Sequence, residues 1–274
     1  MRVDIHDLID RGALFYCSHS GGKDSQAMYT YLTRVIPASQ LRVVHADLGD
    51  IEHAGVKQHI EQNIDGRDLL IARAIHADGT PKDFFSAVRA RREALDKAGR
   101  HDAPAFPSSA ARFCTSDLKT GPIWKTIKAD ARTTDTRILV NCVGIRAEES
   151  PRRAKTIEAR GTFNKNNKNS NGTWECYDWW PISDWPIQRV WDAIRDKGQF
   201  PHPAYANGNE RLSCMFCIFG SVNDLQNARA TNPALYERYL RLEQDARGTM
   251  FHTQSLADRL SVRFNPAPSQ GALF

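Results

Sequence analysis

A six-residue stretch near the start of the chain, Ser20-Gly21-Gly22-Lys23-Asp24-Ser25, combines residue types that suit phosphate binding. Two glycines let the backbone curl so that several N–H groups point at one spot. A helix that begins here would add the partial positive charge of its N-terminus, and Lys23 adds a full charge. The spacing is not that of the Walker type, which needs four residues between its first glycine and Gly-Lys-Ser/Thr. The stretch therefore predicts a phosphate cradle, against the alternative of a helix start capped by Asp24 or Ser25.

Two other groups of residues follow predicted strands. His45 and Asp47 come at the end of a strand at 41–46, and Gly144-Ile145-Arg146 comes at the end of a strand at 138–143, with Arg152 and Arg153 shortly after. Ligands of parallel sheets bind outside the carboxyl ends of the strands, so we expect these residues and the glycine stretch to share one crevice. Arginines there can bind phosphate bidentately. The alternatives are a solvated charged loop for the arginines and a helix cap for Asp47.

The elements that position these residues alternate along the chain. Apolar runs predict strands at 13–17, 41–46, 69–72 and 138–143, and helical periodicity predicts helices between them. This order predicts an α/β fold with a doubly wound, mostly parallel sheet of five or six strands, followed by a small C-terminal helical part. We expect a nucleotide-binding domain at 1–150, a helical metal-binding part at 151–264 and a flexible tail at 265–274. The asparagine-rich segment 164–172 is expected to be a mobile loop.

Six unevenly spaced cysteines in 274 residues favour a metal or redox site over a disulfide scaffold. Cys214-x-x-Cys217 can place two sulfurs on one metal, but a pair supplies only half a site. Cys17 and Cys142 lie on predicted strands and are expected to be core residues.

Bulk properties narrow the class of protein. A hydrophobic fraction of 41% with 25% charged residues is typical of a globular protein. The net charge of +5 permits an anionic partner without demanding nucleic acid. The sequence has no apolar run of the length of a membrane span, and it starts without a basic and apolar leader pattern. We therefore expect a cytoplasmic protein with no membrane association.

Several of these segments resemble known motifs, in the right order. The glycine stretch resembles the SGGKDS signature of the PP-loop ATP pyrophosphatase superfamily, and Gly144 to Arg153 resembles the GxRxxES…R motif of the phosphoadenosine phosphosulfate (PAPS) reductase family within it. Three further segments resemble the Cys-then-Leu-Lys, P-I-x-D-W…V-W and Y-x-x-G…C-x-x-C motifs of that family; they lie at 112–119, 181–191 and 205–217. The resemblance spans about residues 13–245.

The resemblance implies an adenine nucleotide α-hydrolase-like fold that binds the pyrophosphate end of ATP, with Mg²⁺. It implies Lys23, Asp24 and Arg146 as catalytic residues. The implied nucleotide and phosphate contacts are Ser20, Gly21, Gly22, Lys23, Asp24, Ser25, His45, Asp47, Gly144, Arg146, Arg152 and Arg153. For a metal centre it implies Cys114 as third ligand beside Cys214 and Cys217, with Cys176, His202 or nothing as the fourth, because Phe113 replaces one cysteine of the family's tandem pair. A [4Fe–4S] cluster is the expected cofactor, and Zn²⁺ is the alternative.

One departure from the family bears on the activity. The sulfonucleotide reductases release sulfite through a cysteine in a C-terminal Glu-Cys-Gly-Leu-His motif, and no cysteine follows Cys217 in this sequence. The leading hypothesis is therefore ATP-dependent adenylation and sulfur transfer to an unknown acceptor, a nucleic acid or a small molecule, with an external sulfur donor. The alternatives are reduction of PAPS or adenylyl sulfate with a thioredoxin-like reductant, and a non-catalytic protein that binds nucleotide or nucleic acid.

Overall fold

A computed structural model describes residues 4–261, so the expected tail at 265–274 lies outside the described residues. The strands are β1 Leu14–Ser18, β2 Leu41–Ala46, β3 Leu69–Ala72, β4 Ile138–Val143, β5 Phe163–Lys165 and β6 Glu175–Trp179. The helices are α1 Ile5–Asp10, α2 Lys23–Val35, α3 Val56–Gln62, α4 Phe84–Lys97, α5 Phe113–Thr115, α6 Gly121–Ala131, α7 Pro151–Arg160, α8 Ile187–Asp196, α9 Val222–Thr231, α10 Pro233–Ala246 and α11 Leu256–Leu260.

The strands form one six-stranded sheet in the order β3-β2-β1-β4-β6-β5. Every neighbouring pair is parallel except β5 and β6, which are antiparallel. The central strands β1 and β4 are buried on both faces at all but their last residue, as expected for a parallel sheet covered by helices on both sides. The predicted α/β fold class, with a mostly parallel sheet of five or six strands, is confirmed.

Contacts divide the chain into two compact units. Unit 1 comprises the described residues up to Ala46, together with Gly55–Ala72 and Ile123–His202. Unit 2 comprises Asp47–Ala54, Arg73–Pro122 and the described residues from Pro203 on. The units interleave along the chain, whereas the sequence predicted contiguous parts at 1–150 and 151–264.

Unit 1 contains the sheet. Helix α2 packs against α8, whose residues Val190, Trp191 and Ile194 are buried. Pro186 occupies the N-cap position of α8. Helix α2, which follows the glycine stretch, is therefore held in place by packing against β1 and α8.

Unit 2 is helical, with a core of its own. Phe84 and Phe85 of α4 pack around Tyr239 of α10, with ring centroids 5.5 and 5.1 Å apart. The side chain of Asn232 accepts a hydrogen bond from the N–H of Leu235, and Pro233 occupies the first turn of α10. A π-helical turn at Ser116–Thr120 separates α5 from α6.

The asparagine-rich segment is not the open loop that its composition suggested. It continues from β5 into a turn in which the Asn166 side-chain N–H donates to Asp178 at 2.7 Å and the Asn166 main-chain N–H donates to the carbonyl of Cys176 at 2.8 Å. Asn141 donates to the same carboxylate at 3.1 Å. The segment is held because the Asn166 amide binds a partly buried carboxylate, and composition alone does not reveal such a partner.

Among residues 4–261, no helix is both long and apolar enough to cross a membrane.

Candidate functional site

The glycine stretch lies where the chain changes direction across the sheet. From β1 the chain builds outward through β2 and β3, whereas β4 lies on the other side of β1. The crevice beside such a reversal is the usual ligand site of doubly wound sheets. The loop after β1 and the residues after β4 both flank this point, so unit 1 brings together two of the three predicted segments.

The loop is closed by its own side chains. Ser20 N–H donates to Ser25 Oγ at 3.1 Å, Gly21 N–H donates to His19 Nδ1 at 3.0 Å, and Ser25 Oγ donates to the Gly22 carbonyl at 2.8 Å. Gly21 has φ of 78°, a left-handed conformation that favours glycine. Helix α2 begins with Gly22 at its N-cap and no side-chain cap, so the interpretation of Asp24 or Ser25 as a cap is wrong.

Lys23 is unusually sheltered for a lysine. It is 6% exposed, its Nζ lies 5.8 Å from the centroid of the Trp191 ring, and it is 3.7 Å from an oxygen of Asp24. A partly desolvated ammonium interacts more strongly with an anion than one in water. The site therefore holds a fixed positive charge at the first turn of α2. The spacing of Lys23 and Trp191 along the chain gave no indication of this contact.

Gly144 allows the end of β4 to approach the loop closely. A Cβ built on Gly144 would lie 3.0 Å from both the carbonyl carbon and the carbonyl oxygen of Asp24, and 3.2 Å from the nitrogen of Ser25. All three are backbone atoms, which cannot rotate away. Only glycine fits at this position without a shift of the backbone.

Arg146 is buried in a network of ion pairs, only 4% exposed. Its Nε donates to Asp24 at 2.6 Å, and its Nη1 donates to Glu148 at 2.6 Å and to the carbonyl of Trp185 at 3.0 Å. The guanidinium thus joins the first turn of α2 to the segments before α7 and α8. Its role as a phosphate clamp stays a prediction, and the geometry shows it holding Asp24.

The remaining predicted phosphate contacts lie on different elements of the structure. Arg153 of α7 is ion-paired with Glu149, which lies just before that helix, and Arg152 lies on the exposed side of α7. His45 is 2% exposed, and its Nδ1 is hydrogen-bonded to the His19 carbonyl at 2.9 Å, so it supports the loop from β2. Asp47 belongs to unit 2, where Arg73 binds it through Nε at 2.8 Å and Nη2 at 2.7 Å.

A histidine that the sequence did not single out lies directly before the glycine stretch. His19 is 1% exposed, and burial lowers its pKa to about 3, with smaller contributions from His59 and His45. Its Nδ1 accepts from a loop amide, so the ring is neutral with its proton on Nε2. His19 lies between two serines and belongs to no periodic pattern or motif, so the sequence offered no reason to assign it a role at the site.

In unit 2, Cys114, Cys214 and Cys217 come within electrostatic range of one another. Cys214 and Cys217 are hydrogen-bonded; this bond lowers the pKa of Cys217 and raises that of Cys214, while burial raises that of Cys114. The positive charge of Lys119 favours the thiolate form at all three.

The two candidate fourth ligands lie in unit 1, not in unit 2. Cys176 is buried in β6, where its thiol donates to the Asn169 carbonyl and burial raises its pKa to about 11. The His202 ring packs edge-on against His59 at 5.3 Å. Within residues 4–261, no group of three or more histidine, cysteine, aspartate or glutamate side chains is arranged to hold a single metal ion. The ligand set of a metal centre therefore stays a prediction.

Comparison with known proteins gives one family. Residues 89–219 match the phosphoadenosine phosphosulfate reductase domain. A 128-residue stretch is 30% identical to an uncharacterized 37.8 kDa protein of Escherichia phage 186, encoded in the gpa 5′ region; it covers 47% of this chain and 36% of that relative. The chain thus spans about a third of that curated relative. The family match confirms the resemblance read from the motifs.

Solved structures show weaker likenesses. PAPS reductase from Candida auris is 9% identical with a TM-score of 0.44, over 74% of this chain and 82% of that one. The U34-tRNA thiolase NcsA from Methanococcus maripaludis, solved with its [4Fe–4S] cluster, is 13% identical with a TM-score of 0.42, over 94% of this chain and 84% of that one. At such scores neither structure informs the chemistry of this chain.

Proposed function

We propose that this chain, whose residues 89–219 match the PAPS reductase domain, is an enzyme that binds ATP at the loop Ser20–Ser25. It would then adenylate an acceptor and transfer sulfur to it. The observation that supports this most directly is the phosphate loop at the reversal point of the sheet, with the buried Lys23 at its end. The match is to an enzyme family, and the specific reaction is our proposal.

The loop would hold the pyrophosphate end of ATP, which enters with Mg²⁺. Negative charge grows on the departing pyrophosphate as its bond to the α-phosphorus breaks. The N-terminus of α2 and the Lys23 ammonium are fixed before the reaction, so they stabilise this charge without reorganising. Arg146 holds the Asp24 carboxylate, which keeps the first turn of α2 in place. Asp24 itself is the one loop carboxylate and is suited to a Mg²⁺ contact.

The sulfur-transfer step rests on Cys114, Cys214 and Cys217, which we propose hold a [4Fe–4S] cluster. All three lie in unit 2 and interact electrostatically, and the charges of Lys119 and Arg211 favour the thiolate at Cys217. A cluster with three thiolates would leave one iron open to a sulfide or substrate sulfur. Zinc with a fourth protein ligand is the alternative, and iron and zinc analysis separates the two.

A nucleic acid is the acceptor class that the charge pattern favours. Residues 151–168 contain six basic side chains and one acidic one, and Arg152, Lys155 and Arg160 line a shallow groove along exposed α7. Helix α7 begins five residues after Arg146, which contacts the loop. A phosphate backbone bound along α7 would lie next to the nucleotide, and its binding would weaken with salt because counterions are released.

The groove can be tested with a labelled single-stranded oligonucleotide. The triple variant R152Q/K155Q/R160Q should bind more weakly, with the slope of log K against log salt reduced by about 2, at about 0.7 per lost phosphate contact. The matched variant R34Q/K125Q/R132Q removes three exposed charges elsewhere in unit 1. Equal losses in both variants would show that only net charge matters.

The deciding experiment compares two nucleotides on anaerobically purified protein. Pyrophosphate is measured with ATP, Mg²⁺, sulfide and bulk RNA or DNA, and sulfite is measured with PAPS and a dithiol. We expect pyrophosphate, abolished in Lys23→Ala and retained in the exposed-lysine control Lys125→Ala. Sulfite from PAPS alone would instead establish the reductase that the family name describes. Tight ATP binding with neither product would indicate a non-catalytic binding protein.

A further inference from the structure

The backbone of His19, the residue before the phosphate loop, is hydrogen-bonded to β2, and its ring contacts the loop and α2; only the ring Nε2 has no hydrogen-bond partner among the described residues. The main-chain N–H of His19 donates to the Val44 carbonyl at 2.8 Å, and its main-chain carbonyl is hydrogen-bonded to His45 Nδ1 at 2.9 Å. Strand β2 therefore fixes the backbone of His19. Its ring lies against Tyr29 of α2, with centroids 6.3 Å apart. The ring therefore has a set orientation before any ligand arrives.

The ring in turn fixes the loop. Nδ1 accepts the Gly21 N–H at 3.0 Å and lies 3.5 Å from Ser25 Oγ. Gly21 is the loop residue with the left-handed backbone, and its N–H could point elsewhere if no acceptor held it. Because Nδ1 is the acceptor, the proton sits on Nε2, which is buried without a hydrogen-bond partner among the described residues.

An unpartnered buried N–H destabilises a fold, so an apolar side chain of similar size would pack here at less cost. The feature that such a side chain lacks is the acceptor at the Nδ1 position. We propose that His19 is a positioning residue, whose Nδ1 holds the Gly21 amide so that the loop keeps the curvature needed to bind a pyrophosphate group.

This assigns the loop amides two different tasks. The N–H groups of Ser20 and Gly21 are engaged by Ser25 and His19 within the loop, and they set its shape. Helix α2 begins at Lys23 with no side-chain cap, and we assign the anion to its N-terminus. The inference rests on the proposed function, because it requires that the loop bind a phosphate group.

A pair of substitutions isolates the acceptor. In His19→Asn the amide oxygen can take the position of Nδ1, whereas His19→Leu fills a similar volume with no acceptor. Inorganic pyrophosphate with Mg²⁺ is titrated calorimetrically into each variant. We expect His19→Leu to bind about tenfold more weakly, the effect of one ordering hydrogen bond, and His19→Asn to stay within about twofold of wild type.

A second measurement keeps the result interpretable if stability changes. Amide exchange of Gly21, followed by NMR in the ligand-free protein, should accelerate in His19→Leu and stay protected in His19→Asn. The control is the pair His59→Asn and His59→Leu, because His59 is also buried with an unpartnered Nε2 but does not hold the loop. Both control variants should bind pyrophosphate like wild type.

The outcomes separate the two proposals. If wild type binds neither pyrophosphate nor ATP, the proposed function fails, and the role of His19 fails with it. If wild type binds but His19→Leu binds equally well, or His19→Asn and His19→Leu are equally weak, the positioning role alone is overturned, and His19 is a packing residue.

Discussion

Replacement of Gly144 by alanine tests whether the contact between β4 and the phosphate loop limits nucleotide binding. The added methyl group would meet the Asp24 carbonyl group at 3.0 Å and the Ser25 nitrogen at 3.2 Å. Ordinary contact with these atoms needs about 3.4 Å or more, so the loop must move away by about 0.4 Å. Since the clash is with backbone and not with a rotatable side chain, the shift passes to the start of α2.

The magnitude follows from the cost of overpacking a well-packed region. We expect a loss of about 1–3 kcal/mol in the free energy of unfolding. For a chain of this size, that corresponds to a fall of about 2–4 °C in melting temperature per kcal/mol. Pyrophosphate affinity should fall by about tenfold or more, because a displacement of this size at pre-oriented groups weakens every hydrogen bond to the anion.

Thermal unfolding and calorimetric titration with pyrophosphate measure both effects on the same preparation. Gly172→Ala is the matched control, because the same methyl group there meets nothing within 4 Å and the residue is exposed. It should leave both quantities unchanged.

The result that would refute this reasoning is a Gly144→Ala protein with wild-type pyrophosphate affinity. That outcome would mean that the loop has room to shift without loss of function. A lower melting temperature with unchanged pyrophosphate affinity would show that the contact between Gly144 and the loop stabilises the fold but does not affect ligand binding.

Two further predictions concern the cysteines and the buried histidines. Cys214→Ala should lose the brown colour and about four irons per chain of an anaerobic preparation, whereas Cys176→Ala should retain them; a colourless wild type with one zinc would contradict the cluster. Burial lowers the pKa of His59 to about 4, so below about pH 6.5 the unfolded chain binds a proton that the folded chain does not, and stability falls as pH falls. His59→Leu should therefore lose about 1–2 kcal/mol less than wild type between pH 7 and pH 5 in urea unfolding. The exposed-histidine control His252→Leu should lose as much as wild type, and equal losses in all three proteins would exclude the assignment.

Much of the fold is predictable from short windows of the sequence. Alternating apolar strands and helical periodicity indicated a parallel sheet, and the start of α10 at Pro233 followed from Asn232 before it. The phosphate loop was recognisable because its glycines, lysine and flanking strand and helix are contiguous. These features depend on neighbours within a few turns of the chain, and so local chemistry specifies them.

The partners of the site residues could not be obtained in that way. Arg146 contacts Asp24 across 122 positions, and Lys23 lies under Trp191 of α8, because the strand order places these elements side by side. Position in the sequence likewise did not reveal that His19 would hold the loop amide, because that contact depends on β2 and α2 closing around its ring.

The sequence by itself therefore determined the α/β class, the phosphate loop and the cysteines to consider. Only the tertiary structure decided that Cys176 and His202 lie in unit 1, away from the unit that holds Cys114, Cys214 and Cys217, and that Arg146 holds a carboxylate. The physical reason is that burial and pairing of charges are set by which distant segments the sheet brings together, a property of the whole chain and not of any local stretch.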